Sequence, residues 1–368
     1  MNKKLQVAGI LLLFHLALTG CWDQRLLKDS RLIYSSSFDL IEDDRIFTTA
    51  ITRDFHGEMG ANVEITAEGK TIRETRMNMD RKINGNFEPS KNRVFLLGED
   101  LVKKDIYQFL DVFYRDPSSS ISAKVAVAEG RGSDFLSKLR EKNTFISEFL
   151  TEIIESAEGS SEVGVQNLQT ICTMMFDPGK DFILPLFSLE EEEIELEGNA
   201  IFHKHSMTGK LSVMQSTLFL VLAGEKGKRA RFVSEVDKEN KTPLDDYISY
   251  NIVKPKTNMK ILSDSPDDIK VEISLKAGVT ISEYPADKLK DKKNVKKLNE
   301  KIQGDLLKRS QKLVETIQTA NADLFGIGRE LIAFHPKTWE KVNWEEDYKE
   351  ITIIPKIETE IVGNGIIN

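Results

Sequence analysis

Apolar positions along this chain change period several times, and each change marks an element. Two apolar-rich extended runs, 31–40 and 46–53, flank Glu42-Asp43-Asp44-Arg45 and predict a β-hairpin, with a third strand at Val63-Glu64-Ile65. Thr71-Ile72-Arg73-Glu74 has the Thr-x-x-Glu spacing of a capping box, so a helix is expected from there to Asn84-Gly85, with Ile72, Met79 and Ile83 on one face. The clearest unit is 93–128. Val94-Phe95-Leu96-Leu97 is a continuous apolar run, Val102, Ile106, Phe109, Leu110 and Phe113 recur at helical spacing, and Ile121, Ala123, Val125 and Val127 alternate. Strand, helix and strand with so long a crossover imply a parallel pair.

The pattern is helical again over 133–175, with Cys172 on an apolar stripe that predicts a small buried side chain. Asp177-Pro178-Gly179 is a turn, 182–189 reads as a strand, and the acidic run 190–197 marks a boundary. Residues 200–203, 211–214 and 218–223 read as a β-meander, and further strand signals follow at 246–253, 271–275 and 279–281. Val295, Leu298, Ile302, Leu306, Leu313, Ile317 and Leu324 are spaced by threes, fours and sevens, predicting a long helix over 291–325 that ends at Gly326 and Gly328. Ile351, Ile353, Ile357 and Ile361 close the chain as a strand. The expected class is α+β with mixed sheets, and the length suits two or three domains; the candidate divisions are an N-terminal α/β domain 31–193, a mostly β middle domain 194–255 and an α+β domain 256–368.

Ahead of these elements, Lys3 and Lys4 precede an apolar run from 5 to 18 and then Gly20-Cys21, the layout of a secretory signal peptide over 1–20. The run is shorter than the ~20 residues a spanning helix needs, so the chain is expected to be anchored at a membrane rather than to cross it. Leu18-Thr19-Gly20-Cys21 looks like a bacterial lipobox, in which Cys21 would carry the lipid and residues 21–30 would form a tether. Removal of residues 1–20 leaves 49 basic and 59 acidic residues, a balance of −10 that argues against nucleic acid as a partner. With Cys21 lipidated, Cys172 has no partner, and the fold rests on no disulfide.

Candidate chemistry is sparse. His203-x-His205 lacks nearby residues to complete a metal site and reads as a pair of exposed strand histidines; Gly326-x-Gly328 follows a helix, whereas a nucleotide fingerprint follows a strand. Arg115-Asp116 before Pro117 reads as a helix end favoured by the dipole. No catalytic constellation, metal site or cofactor is expected. One charged feature stands out: residues 287–312 hold ten Lys or Arg against four Asp or Glu, and Lys293, Lys297, Lys301, Lys308 and Lys312 fall away from the apolar stripe of the long helix. That face is a candidate contact for membrane headgroups or an acidic partner.

The chain resembles the Ger(x)C family, the lipoprotein C subunits of nutrient germinant receptors of endospore-forming bacteria. The resemblance is carried by Cys21-Trp22-Asp23, by Gly69-Lys70-Thr71-Ile72 leading to 94–99 and Phe113-Tyr114-Arg115-Asp116, by Gly198-Asn199-Ala200-Ile201-Phe202 with Gly209-Lys210-Leu211, and by 322–328 with Trp339 and Trp344. Where family members often carry a histidine this chain reads Pro89-Ser90-Lys91-Asn92, and Asn199 also departs from the pattern. The resemblance implies a three-domain α+β ectodomain without catalytic activity. It would be lipid-anchored on the outer face of the spore inner membrane, beside membrane-embedded A and B subunits. An extracytoplasmic solute-binding lipoprotein is the alternative, and would need a cleft with convergent polar groups; a lipid-anchored enzyme would need titratable residues clustered in one.

Overall fold

The computed structural model describes residues 30–53, 61–142, 145–190, 193–237, 242–287 and 289–363. The expected signal peptide, Cys21 and the tether as far as residue 29 lie outside them.

The first hairpin forms as expected: β1 (Ser30–Ile41) and β2 (Arg45–Arg53) pair antiparallel, and β3 (Asn62–Gly69) adds to β2. The Thr71 hydroxyl caps α1 (Ile72–Asp80) by accepting the Glu74 amide, while the Glu74 carboxylate accepts the amide of Lys70, one residue earlier than a standard capping box places it. A short β4 (Asn86–Glu88) lies along the start of β1. The unit β5 (Val94–Gly98), α2 (Ile106–Arg115) and β6 (Lys124–Ala128) has the expected parallel strands. The helical stretch that follows divides into α3 (Gly132–Glu141), α4 (Ile146–Gly159) and α5 (Leu168–Met175). Then β7 (Phe182–Glu190) joins β6 in parallel, and β8 (Glu193–His203) and β9 (Ser206–Ser212) complete a nine-stranded sheet of order β3-β2-β1-β5-β6-β7-β8-β9, with β4 beside β1.

Helices cover both faces of this sheet, which is why β5 is apolar at every position. On one face α2 and α5 pack against Phe38, Phe95 and Leu184, with the Phe95 and Phe113 rings 4.6 Å apart. On the other, α3 and α4 bury Phe135, Leu136 and Leu150 against Val94, Leu96 and Ala126.

A second sheet of order β10-β11-β12-β13 comprises β10 (Arg231–Glu235), β11 (Tyr247–Ser265), β12 (Asp268–Glu283) and β13 (Thr352–Gly363). The step from β12 to β13 is parallel and needs a crossover, and α7 (Lys292–Thr319) supplies it, burying Leu298, Ile302, Leu306, Leu313 and Ile317. Between the sheets lies α6 (Val213–Leu222), buried along 216–222, and its core is continuous with Ile183 and Ile201 of the first sheet. Among the described residues no helix is long and apolar enough to cross a membrane.

Two expected elements change. Residues 218–222 are helix, not the third strand of a meander. An unbroken apolar run carries no period, and here the capping box of Ser212 and Gln215 decides the outcome. The long helix stops at Thr319 instead of running to 325; Asn321 takes a positive φ of 54°, and Gly326 opens the next helix, α8 (Ile327–Phe334). The acidic run 190–197 spans the β7–β8 hairpin, where Glu190 stands opposite Glu193, so the first sheet continues across it. The stretch 194–255 is divided between the sheets: β8 and β9 extend the first, while β10 and the start of β11 belong to the second.

Candidate functional site

The densest polar arrangement joins the two sheets. It is built from the turn before β7 and the segment between α7 and α8. Asp323 is 3% exposed, and its position three residues before Gly326 lets its carboxylate receive the first amides of α8. Oδ1 accepts Gly326 N–H at 2.9 Å and Ile327 N–H at 3.0 Å, and Oδ2 accepts Gly328 N–H at 2.7 Å and the Trp344 indole N–H at 3.3 Å. Gly326 makes this turn with φ of 76°, a conformation that suits glycine.

Asp181 closes the other side. Its backbone N–H donates to the Asp323 carbonyl at 2.9 Å, and its Oδ2 accepts Asp323 N–H at 2.8 Å. The same Oδ2 lies 3.1 Å from His203 Nδ1, while Oδ1 accepts Lys204 N–H at 2.7 Å. The backbones themselves touch: a Cβ added at Gly179 would sit 2.4 Å from Arg329 N, and one at Gly328 would sit 2.7 Å from Gly179 Cα. Arg329 fastens the rim, donating from its backbone to Gly179 O at 3.1 Å and from Nε to Asp177 Oδ2 at 2.6 Å. Burial would raise the Asp177 carboxyl, but the Arg329 guanidinium and the Gly179 amide hold it below its ordinary value.

Burial pushes Asp323 up to about 7, helped by the neighbouring charge of Asp181 and opposed by the three backbone amides. Burial also drives the Tyr348 phenol well above its ordinary value, with Asp323 and Asp181 adding to the effect. The Tyr348 hydroxyl is buried without a hydrogen-bond partner among the described residues. Its ring packs 5.5 Å from that of Trp344, which lies 5.7 Å from Trp339. Every carboxylate oxygen of Asp323 and Asp181 is thus occupied by donors of the chain itself, so the arrangement acts as a clasp between backbone segments.

The residues singled out in the sequence fall elsewhere. Cys21 lies outside the described residues. His203 is half-buried against Asp181, and His205 is held between Asp105 at 3.1 Å and the Met175 carbonyl, so neither is the plainly exposed strand histidine expected. Arg115 pairs with Asp111, whereas Asp116 pairs with Arg73 and Arg76, so Arg115 and Asp116 bind different partners. Cys172 is half-buried, and burial raises its thiol pKa. On α7, Lys293, Lys297, Lys308 and Lys312 are exposed, and among the described residues no carboxylate lies within ion-pair distance of them. Lys301 differs: it is half-buried, bonds the Val236 carbonyl and lies 3.6 Å from Asp237.

A cleft of about 640 Å³ opens between α1 and α2 over Ile46, Ile72, Phe109 and Val112. The arginines on its rim, Arg73 and Arg115, already face Asp116 and Asp111. This weakens it as the convergent polar cleft that solute binding needs.

Sequence reasoning reached both halves of the clasp, as a turn at 177–179 and a glycine stop at 326–328, without joining them. The available signal was an aspartate three residues before a Gly-x-Gly that begins a helix, an arrangement suited to amide capture.

Comparison with known proteins covers almost the whole chain. The family described as "Spore germination protein N-terminal domain" matches residues 23–189, and that described as "Spore germination B3/ GerAC like, C-terminal" matches 197–365. Among curated proteins, spore germination protein GerQC of Bacillus cereus is 24% identical, with 97% of this chain and 98% of that protein covered. Spore germination protein B3 of Bacillus subtilis (strain 168) is 21% identical, with 96% of each covered. The crystal structure of the GerBC protein shares the fold with a TM-score of 0.59 at 17% identity, covering 89% of this chain and 96% of that one.

Proposed function

This chain belongs to the Ger(x)C family of spore germination proteins, and from that membership we propose that it is the lipid-anchored, non-catalytic C subunit of a nutrient germinant receptor. The observation that carries the reading is the match of both family domains, in order, across nearly the full chain. In this role the protein acts in receptor assembly and germination signalling at the outer face of the spore inner membrane, beside the membrane-embedded A and B subunits. Cys21 lies two residues before the family match begins, where a lipidated cysteine would place the whole matched region outside the bilayer. A lipid chain contributes ~0.8 kcal/mol per buried CH₂, so two chains hold the body at the surface and restrict its search for partners to two dimensions. The absence of catalysis in this reading is supported by the uses of the buried aspartates: Asp39 and Asp323 both accept backbone amides of their own chain.

Replacing Cys21 with Ala tests the proposal in spores. The expected result is loss of the chain from the membrane fraction and a weakened response to nutrient. Full membrane retention together with normal germination would overturn it.

A further inference from the structure

The exposed face of α7 is a surface whose charges the fold leaves unused. At about 100° per residue, Lys293, Lys297, Lys308 and Lys312 lie within an arc of about 100° opposite the buried Leu298–Ile302–Leu306–Leu313 stripe. Lys293 and Lys297, and likewise Lys308 and Lys312, stand at i and i+4, a spacing at which like charges destabilise a helix. Several other lysines are paired, among them Lys124–Glu158, Lys180–Glu225 and Lys276–Glu358, whereas these four stand together on one face. A local electrostatic conflict left uncompensated within the fold is where an external partner is to be sought.

We propose that this face docks on an anionic phospholipid surface, as a second membrane contact beside the lipid on Cys21; the inference rests on the anchored reading above. Composition favours lipid over protein. The exposed residues of the arc include, besides the lysines, Asn294, Gly304, Gln311 and one carboxylate, Glu315, with no exposed aromatic or methionine, whereas the centres of protein interfaces are depleted in lysine and enriched in aromatics, Met and Arg. The one arginine of α7, Arg309, is engaged by Asp305 and the Val233 carbonyl. Lysine is a point charge on a flexible stem, suited to a fluid array of phosphates that offers no fixed geometry. The chain as a whole is acidic at −8, so attraction to such a surface has to come from a local patch of this kind.

The test uses the purified full chain with its lipid, in vesicles of phosphatidylcholine alone or of phosphatidylcholine with phosphatidylglycerol. A membrane-impermeant amine reagent is added, and labelling of each lysine is read by mass spectrometry. Lys293, Lys297, Lys308 and Lys312 are expected to label about five-fold less on the phosphatidylglycerol vesicles. High salt should restore their reactivity, while Lys91 and Lys276 serve as unchanged references. In the triple variant Lys297→Glu, Lys308→Glu, Lys312→Glu, the protection of Lys293 should disappear. Equal labelling on both vesicle types overturns the proposal, as does protection confined to native membranes that hold the other subunits, which would assign the face to a protein. A chain that fails to float with either vesicle overturns the anchored reading instead; one that floats with lysines equally labelled overturns only the docking face.

Discussion

Asp39 and Asp323 each hold the start of a helix by accepting its backbone amides, but they work in different places and against different neighbours. Asp39, 1% exposed on β1, accepts Gly132 N–H at 2.6 Å and Ser133 N–H at 2.9 Å at the start of α3. Both partners belong to the first sheet and its covering helix, and their hydrogen bonds, with a smaller part from the positive charge of Arg131, partly offset the effect of burial. Asp323 accepts four donors instead of two, and its own amide is held by Asp181, 142 residues away along the chain. Its charged neighbour is another carboxylate. The same device therefore secures a helix within one layered body at Asp39 and fastens the two sheets together at Asp323, where electrostatic compensation is poorer. Loss of the second should loosen the relation between the sheets as well as a helix.

Removing the two carboxylates gives the largest expected effects. Asp323→Ala orphans three buried amides and an indole N–H and should destabilise by about 3–5 kcal/mol, whereas Asp39→Ala orphans two amides and should lose about 2–3 kcal/mol. Urea unfolding of the two variants measures both, and a larger loss at Asp39 would break the comparison. Next come the close glycines. Gly328→Ala forces a methyl against the Gly179 backbone at 2.7 Å and should lose about 2–3 kcal/mol. In Gly98→Ala the clash, at 2.3 Å, is with Asp39 Oδ1, a side-chain atom that can shift but only by straining its bond to the Gly132 amide, so about 1–2 kcal/mol is expected. Limited proteolysis should separate the sheets in Gly328→Ala and leave them joined in Gly98→Ala.

The contrast also accounts for what was legible in the sequence. Within the first body, local signals agree with one another: the 42–45 turn, the Thr71 cap and the switch of period through 93–128 each specify an element that forms. Local signals failed where a segment is defined by what packs on it. The 218–222 run is apolar on every side because α6 lies between two sheets, and burial all round erases the period that separates helix from strand. The clasp was illegible for a related reason. Asp181 and Asp323 acquire their roles only when two turns meet, and a turn read alone shows a chain reversal and no partner. The lysines of α7, by contrast, could be read directly, because an exposed face is set by helix geometry; only Lys301 was drawn off it, by Val236 and Asp237.

Protonation offers a finer probe of the same pair. Asp323 is raised by burial from 3.8 to about 7, so the folded chain binds its proton more tightly than the unfolded chain does. The stability this contributes is complete below about pH 4, declines as pH rises through 7, and is flat above. Relative to Asp323→Asn, the native chain should therefore gain stability on acidification from pH 7 to 4, in urea midpoints measured across that range. Asp39 is also raised by burial, so Asp39→Asn should show the same sign. Its difference should be smaller, because burial there is opposed by the Ser133 and Gly132 hydrogen bonds and then by the charge of Arg131, while at Asp323 the charge of Asp181 reinforces the shift. Equal slopes for the two Asn variants would mean that the neighbouring charges do not distinguish the sites.

The smallest effect isolates one donor. Trp344→Phe removes the indole N–H that reaches Asp323 at 3.3 Å but keeps an aromatic ring between Trp339 and Tyr348, so it should destabilise by about 1 kcal/mol. Because that donor favours the ionised carboxylate, its loss should also move the Asp323 transition to higher pH. A variant that loses stability with the transition unmoved would mean that Trp344 supports the clasp through ring packing alone. Asp323 would then be held by its three backbone amides, which would bring it closer to the arrangement at Asp39.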